Sequence, residues 1–266
     1  MARTRLTSLL LISMVALVSG CTKPKGNWGE SVDLPPWDKV ARAAIENAVD
    51  PLTWAPLAGA AVFSINDWDE NTTEWAAKEN PIFGNQLDAG IASDDLRTTA
   101  GICWGVTALA TPSGDTAQEW AINKLKGGII QGAAIGITSS TTSFIKDTTQ
   151  RERPTGGTKN SFPSGHTSQA TVRATMAAKN LDYIDMPEMG RSLLRTGFYT
   201  VAAGTAWARV EANRHYPSDV LAGFALGHFV GGFLTDAFIA PWSDGAASID
   251  VEAEPDSAFI SSTFVF

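Results

Sequence analysis

Two long stretches without charged side chains constrain the fold of this chain most. Gly127–Ile145 contains no charged residue, and Val220–Leu234 contains none apart from His228. The first barely reaches the ~20 residues that a membrane-spanning helix needs, and the second is shorter. Both are rich in small residues, and helices that are apolar on all sides are typically buried in a domain core. Since the mean hydropathy is only −0.02, we predict core helices rather than a multi-spanning membrane protein.

The region from Trp37 to Trp242 favours helices throughout. Few of its segments alternate apolar and polar residues with a period of two, as strands do. Turn signals divide it at residues 50–51, 81, 112–114 and 154–157. The longest predicted helix runs from about Asp115 to Asp147 and offers the core Trp120, Leu125, Ile129, Ile135 and Phe144. We therefore predict one all-α domain over 37–242, a helical bundle with its active site at helix ends.

The N-terminus has the pattern of an export signal. Arg3 and Arg5 precede a mostly apolar segment that ends in small residues, which is typical of a secretory signal peptide. The segment 18–21, Val-Ser-Gly-Cys, resembles the lipobox of bacterial lipoproteins, which implies cleavage after residue 20 and a lipid anchor on Cys21. Thr22 in the next position then implies the periplasmic face of the outer membrane within the cell envelope. An ordinary secretory signal that happens to contain a cysteine is the alternative.

The segments outside the domain are short. Residues 21–36 are rich in Lys, Gly, Pro and Ser and predict a tether between the lipid and the folded part. Residues 243–266 form a tail that is first acidic and then apolar, which fits either a strand pair or a docked segment. Cys103 lies in an apolar run and is predicted to be a buried small hydrophobe. The net charge of −8 disfavours nucleic acid as a partner.

Three clusters in the second half of the chain carry the chemistry. They are Lys146 with Arg153-Pro154, Pro163-Ser164-Gly165-His166, and Arg209 with His215 and Asp219. A transferring phosphoryl group spreads charge over three oxygens, so its transfer depends mainly on positioning and electrostatic stabilisation. Lysine and the bidentate forks of arginine supply positive charge for that purpose. Pro163 suits a helix start, and a helix beginning beside it would point free N–H groups at the anion.

The two histidines of these clusters can supply the nucleophile and the proton donor. Asp219, four residues after His215, can return to one imidazole nitrogen and leave the other free to attack phosphorus. His166 then remains to protonate the departing oxygen. The attack would give a phosphohistidine intermediate, which water hydrolyses with His166 as the base.

The order and internal spacing of the three clusters resemble the signature motifs of the type 2 phosphatidic acid phosphatase (PAP2) and vanadium haloperoxidase superfamily. This resemblance implies that His215 is the nucleophile, Asp219 its orienting partner and His166 the general acid. It also implies a set of phosphate-binding residues, namely Lys146, Arg153, Ser164, Gly165 and Arg209. Ala208 departs from the family pattern, which usually has serine there, and this puts efficiency rather than reaction type in doubt.

We therefore expect a phosphatase that needs no metal and no cofactor. Its substrate would be a phosphomonoester or pyrophosphate, either a soluble small molecule or a lipid head group, and residues 64–96 are candidates for selecting it. Two other functions stay open. One is a vanadium-dependent haloperoxidase, since a phosphate pocket also holds vanadate. The other is a non-catalytic envelope lipoprotein that binds phosphate groups, although simple anion binding needs neither a general acid nor an oriented nucleophile.

Two further features receive structural interpretations. Asp67-x-Asp69-x-Asn71 resembles the start of a calcium loop, but Thr72 and Lys78 stand where glycine and a bidentate glutamate are needed. We interpret it as an exposed helix start capped by aspartate. His228 lies in a predicted apolar helix and is interpreted as a core residue.

Overall fold

The computed structural model describes residues 26–241, 247–254 and 257–264. Eight α-helices, a short 3-10 turn at Leu181–Tyr183 and a hairpin follow one another along these residues. The helices are α1 (Trp37–Val49), α2 (Pro51–Phe63), α3 (Trp68–Glu79), α4 (Gln86–Ala110), α5 (Ala117–Thr149), α6 (Gly165–Asn180), α7 (Glu188–Glu211) and α8 (Pro217–Phe238). The all-α prediction is therefore confirmed for the domain. The signal peptide and Cys21 lie outside the described residues.

The C-terminal segment contains the only strands among the described residues. Strand β1 (Ala247–Glu254) pairs antiparallel with β2 (Ser257–Phe264), in a register that joins Ala247 to Phe264 and Glu254 to Ser257. Of the two expectations for this tail, the structure thus shows the strand pair.

Local signals set the ends of the helices that carry the predicted site. A reciprocal capping box between Thr116 and Glu119 starts α5, and Gln150 ends it in the left-handed conformation (φ 49°). Ser164 is the N-cap of α6, and Pro217 occupies the first position of α8, where its missing N–H costs nothing. These signals place the ends of three helices beside the predicted clusters.

Helices α6 and α8 form the centre of the bundle. Their backbones approach so closely that a Cβ added to Gly223 of α8 would lie 2.6 Å from the Ser164 carbonyl oxygen. Within residues 26–241, α8 is the one helix that is long and apolar enough to cross a membrane, and 61% of its most apolar 18-residue window is buried inside the protein. It is therefore the core helix that its uncharged sequence predicted.

Helix α5 differs from the prediction in the face that it buries. Trp120, Leu125, Ile129 and Phe144, which were expected in the core, are between 43% and 70% exposed, so the expectation is wrong for these four residues. Only Ile135 of that set packs against a buried cluster. The buried face instead consists of small and polar residues, namely Asn123, Gly127, Gln131, Ala134, Thr138 and Thr142. Small side chains let the backbone of α5 lie close to its neighbours.

Trp28 fills the space beside the small residue Gly127 of α5. It lies in the segment predicted to be a tether, yet it is only 1% exposed. A Cβ added to Gly127 would lie 2.5 Å from its ring. The indole Nε1 donates a hydrogen bond to Asn180 Oδ1 at 3.0 Å, and Gln131 Nε2 donates to the same oxygen at 2.8 Å. The folded part thus includes Trp28 as well as the domain that was expected to begin at Trp37.

We expect Trp28→Ala to lower the free energy of unfolding by about 3–5 kcal/mol, the usual cost of truncating a buried Trp or Phe. Trp37→Ala is the matched control, because Trp37 is 81% exposed; it should change stability by less than about 0.5 kcal/mol. Urea denaturation followed by circular dichroism measures both. Equal stabilities for the two variants would show that Trp28 does not belong to the core.

Candidate active site

The predicted catalytic and binding residues come together at the ends of four helices. Lys146 lies in the last turn of α5, Ser164 caps α6, Arg209 lies in the last turn of α7, and Asp219 lies in the first turn of α8. The starts of α6 and α8 are joined directly, since the backbone N–H of Ser164 donates to the Asp219 carbonyl at 2.9 Å. The expected location at helix ends is therefore what the structure shows.

His215 is buried beside the carboxylate predicted to orient it. Its Nδ1 lies 3.6 Å from Asp219 Oδ2, which is longer than a hydrogen bond, and Nδ1 has no other partner among the described residues. Burial lowers the pKa of His215 to about 4; Asp219 opposes this shift, while Arg209 and Lys146 add to it. The imidazole is therefore neutral at neutral pH, so one of its nitrogens carries a free lone pair.

Asp219 is held in place by several donors. Its Oδ1 accepts a hydrogen bond from Arg151 Nη1 at 2.9 Å, and its Oδ2 accepts from Ser161 Oγ at 2.5 Å and from the Tyr216 backbone N–H at 2.9 Å. Burial alone would raise the pKa of Asp219, but contact with His215 and the charge of Arg151 outweigh it and leave that pKa lowered. The carboxylate is therefore ionised and fixed in orientation.

The predicted cations lie close enough to weaken one another's hold on their protons. Burial lowers the pKa of Arg209 to about 10, and the charges of Arg153 and Arg214 contribute. Burial likewise lowers the pKa of Lys146 to about 8, again with a contribution from Arg153. Arg209 Nε is buried and has no hydrogen-bond partner among the described residues. Such a cluster of partly desolvated positive charges favours a bound anion.

The start of α6 adds backbone donors to these cations. Ser164 is fully buried, and its Oγ accepts hydrogen bonds from the N–H of Thr167 at 3.5 Å and from the Thr167 hydroxyl at 3.0 Å. A Cβ added to Gly165 would meet only Thr142 at 3.7 Å and Lys146 at 4.0 Å. Packing therefore does not require glycine at this position, and space remains between the helix N-terminus and the Lys146 side chain.

His166 has a carboxylate partner that sequence analysis missed. Its Nε2 lies 2.9 Å from Asp94 Oδ1 of α4, and Asp94 also pairs with Arg97 at 3.3 Å. Burial and the charge of Arg209 lower the pKa of His166, while Asp94 opposes the shift. His166 is thus half-buried between a carboxylate and a cation, so a bound anion would raise its affinity for a proton. Asp94 falls in segment 64–96, but no local pattern marks it.

Arg151 and Asp69 were missed as well. Arg151 bridges Asp219 and Asp69, with Nη2 at 2.8 Å from Asp69 Oδ2. Asp69 is 1% exposed, and Asp67 makes no side-chain cap at the start of α3. The interpretation of this motif as an exposed, Asp-capped helix start is therefore wrong. Sequence spacing could not predict this ion pair, because Asp69 and Arg151 are 82 residues apart in the chain.

The remaining interpretations concern residues away from the site. His228 is buried in α8 with Nδ1 at 2.7 Å from Thr53 Oγ1, so its interpretation as a core residue is confirmed. Cys103 is partly buried, and burial raises the pKa of its thiol. Ala208 is fully buried and offers no hydroxyl beside Arg209.

A cavity of about 370 Å³ with both polar and apolar walls opens beside α3. It lies between α3 and the loops that carry Pro154 and Tyr216, which directly follow Arg153 and His215 in the chain. Its walls include Glu70, Glu74 and Lys78 of α3. None of the predicted catalytic or phosphate-binding residues lines this cavity, and the expectation that segment 64–96 selects the substrate stays a prediction.

Known proteins resemble parts of this chain. A lipid A 1-phosphatase of Porphyromonas gingivalis is 42% identical over 81 residues, which are 30% of this chain and 17% of the relative. This chain therefore matches only about a sixth of that relative's length. A crystal structure of a transmembrane PAP2-type phosphatidylglycerolphosphate phosphatase from Bacillus subtilis has the same fold. It aligns with a TM-score of 0.52 at 20% identity, covering 75% of this chain and 95% of the other.

The profile of the PAP2 superfamily matches residues 127–240. This range begins within α5, ends just beyond α8, and includes all the predicted catalytic and phosphate-binding residues. The chain therefore contains a PAP2 superfamily domain.

Proposed function

We propose that this protein is a phosphatase of the cell envelope that hydrolyses a phosphorylated lipid through a phosphohistidine intermediate. The observation that carries the proposal is a buried, neutral His215 beside an ionised Asp219, at the edge of a cluster of buried cations. Two similar proteins are named as phosphatases of lipid A and of phosphatidylglycerolphosphate, and this favours a lipid head group as substrate. A lipid anchor on Cys21 would hold the enzyme at a membrane surface.

Binding precedes chemistry in this proposal. Lys146, Arg153 and Arg209 neutralise the phosphate oxygens, and the free N–H groups at the start of α6 donate to the same anion. These groups favour the transition state, because they lie where charge spreads over the equatorial oxygens. Since the cations already repel one another, the anion removes an unfavourable interaction on binding.

The first chemical step transfers the phosphoryl group to His215. The lone pair of Nε2 forms the N–P bond while the bond from phosphorus to the leaving oxygen breaks, and His166 gives that oxygen its proton. Asp219 accepts the Nδ1–H of His215 and stabilises the positive charge that develops on the imidazole. The distance of 3.6 Å between Nδ1 and Oδ2 would shorten in this step.

The second step returns the enzyme to its starting state. His166, now neutral, takes a proton from water as the oxygen of that water attacks phosphorus. The N–P bond breaks, inorganic phosphate leaves, and His215 is again neutral. The carboxylate of Asp94, at 2.9 Å from His166 Nε2, favours the protonated form of His166 that the next cycle needs.

A substrate panel tests the proposal. Full-length protein in detergent should release phosphate from phosphatidate, phosphatidylglycerophosphate or a lipid A 1-phosphate, faster than from soluble monoesters of the same concentration. Activity should survive a chelator such as EDTA, and vanadate should inhibit it as a phosphate analogue. If no phosphate were released from any of these esters, the proposal would be refuted. Halide oxidation with peroxide after vanadate loading would favour a haloperoxidase instead.

A further inference from the structure

A chain of buried ionic contacts links α3 to the start of α8 behind the candidate active site. Arg151 donates from Nη2 to Asp69 Oδ2 at 2.8 Å and from Nη1 to Asp219 Oδ1 at 2.9 Å. Nη1 also donates to Ser218 Oγ at 2.6 Å, and the guanidinium lies over the Tyr216 ring, 4.2 Å from its centroid. Both terminal nitrogens of Arg151 thus bind carboxylates of the protein, which distinguishes Arg151 from the cations available to phosphate.

Asp69 fixes the backbone next to Asp219. Its Oδ1 accepts the Ser218 N–H at 2.8 Å, and its Oδ2 accepts the Ser218 hydroxyl as well as Arg151. Ser218 directly precedes Asp219 in the first turn of α8. The position of the Asp219 backbone is therefore set from two sides, by Asp69 through Ser218 and by the N–H of Ser164, which donates to the Asp219 carbonyl.

We propose that Asp69 and Arg151 are positioning residues, which hold the Asp219 carboxylate so that its Oδ2 faces His215. The inference rests on the proposed function, in which His215 is the nucleophile. With Oδ1 bound to Arg151 and Oδ2 bound to Ser161, the carboxylate cannot rotate without breaking a buried hydrogen bond, which costs free energy. Asp69 lies outside residues 127–240, so this anchor comes from beyond the matched family region.

The same contacts place charges beside Asp219, the carboxylate that faces His215. The charged groups that act on His215 or on Asp219 are the carboxylate of Asp219 itself and the cations Lys146, Arg151, Arg153 and Arg209. Asp69 stands behind Arg151 and compensates its charge. Loss of the Arg151 charge therefore makes the protonated form of His215 more favourable, whereas loss of the Asp69 charge makes it less favourable. Loss of the Asp219 orientation would itself lower the pKa of His215 in either variant, because Asp219 raises that pKa, so the titration is read together with kcat.

Three single variants separate positioning from stability. Arg151→Gln removes the bridging cation, and Asp69→Asn removes its carboxylate partner while keeping an oxygen for the Ser218 N–H. Asp236→Asn is the matched control, because Asp236 also lies in α8 and pairs with Lys179 at 2.6 Å, but near the other end of that helix. The pH titration of the His215 imidazole by NMR is the primary measurement. Its signal is assigned by comparison with His215→Ala, which leaves two other histidines in the chain.

The expected results differ between the variants. Asp69→Asn should lower the pKa of His215, because it removes a negative charge and loosens Asp219, which raises that pKa. In Arg151→Gln the loss of a positive charge and the loosening of Asp219 act on this pKa in opposite directions. In both variants kcat should fall on the order of tenfold or more with KM unchanged. This is the scale of loss that follows removal of a residue that orients an active-site group through a hydrogen bond, as known from metal sites. Asp236→Asn should lower the melting temperature and leave the pKa of His215 and kcat unchanged.

The double variant Asp69→Asn/Arg151→Gln serves if a single variant fails to fold. It removes one charge of each sign, so it leaves neither buried charge without its partner. Its kcat should stay low, since the orientation is still lost, although the net charge beside Asp219 is that of the wild type. An unchanged kcat in the folded Asp69→Asn and Arg151→Gln variants, or a raised pKa of His215 in Asp69→Asn, would overturn the inference. A wild-type protein that releases no phosphate would instead refute the proposed function, and an unchanged pKa of His215 in Asp69→Asn would still count against the positioning role.

Discussion

His215→Ala will reduce the release of phosphate by on the order of 10⁴-fold or more, which is the scale seen when a nucleophile that works as part of a unit is removed. The reason is geometric as well as chemical. His215 is the buried imidazole that contacts Asp219, and it is neutral because burial lowers its pKa to about 4. Alanine removes the lone pair that would attack phosphorus. The measurement is steady-state hydrolysis of the best substrate from the panel.

His228→Ala is the matched control for this variant. His228 lies on the same helix as Asp219, is buried, and also has a pKa lowered to about 4 by burial. Its contacts are with Thr53 and Asp50 rather than with the cation cluster. The folded variant should keep its kcat although it loses stability. Acid-labile label from ³²P substrate should appear on the wild type and on His228→Ala but not on His215→Ala, and retained activity in His215→Ala would exclude the proposed nucleophile.

The site was predictable from sequence to the extent that its parts are close in the chain. His215 and Asp219 are four residues apart, so any helix start at Pro217 brings them together. Ser164 and Gly165 signal a helix start by their residue types, and the structure places α6 there. In each of these cases local backbone geometry decides the position of the side chain, and spacing alone carries that information.

The contacts that were missed join residues far apart in the chain. Asp69 reaches Ser218 across 149 residues and Arg151 across 82, and Asp94 reaches His166 across 72. Aspartates near helix starts are common for local reasons, so nothing in the sequence distinguishes a buried anchor from an exposed cap. Only the packing of α3 and α4 around α8 and α6 gives these carboxylates their partners.

The misassigned face of α5 has a related cause. Both faces of this helix lack charged residues between Gly127 and Ile145, so hydrophobicity does not say which face is buried. One contact of the buried face is with Trp28, whose ring occupies the space against Gly127. A tryptophan about a hundred residues away in the chain therefore requires a small residue at Gly127, while Thr142 further along the same face is buried against Ser168 of α6.

His166→Ala is expected to separate the two halves of the reaction. Loss of the acid should slow the first step by on the order of 10²- to 10⁴-fold for an alkyl phosphate, whose leaving oxygen needs a proton. The effect on this step should be much smaller with p-nitrophenyl phosphate, because nitrophenolate leaves as a stable anion. The second step lacks its base with either substrate, so release of inorganic phosphate should be slow in both cases.

The distinguishing measurement is a rapid-mixing assay with p-nitrophenyl phosphate. His166→Ala should release about one nitrophenolate per enzyme in a fast burst and then turn over slowly, because phosphorylated His215 accumulates. The structure supports this division, since His166 is bound to Asp94 on α4 while His215 contacts Asp219 on α8, and neither histidine depends on the other for its orientation. A variant that shows no burst and loses both substrates equally would mean that His166 acts in binding rather than in proton transfer.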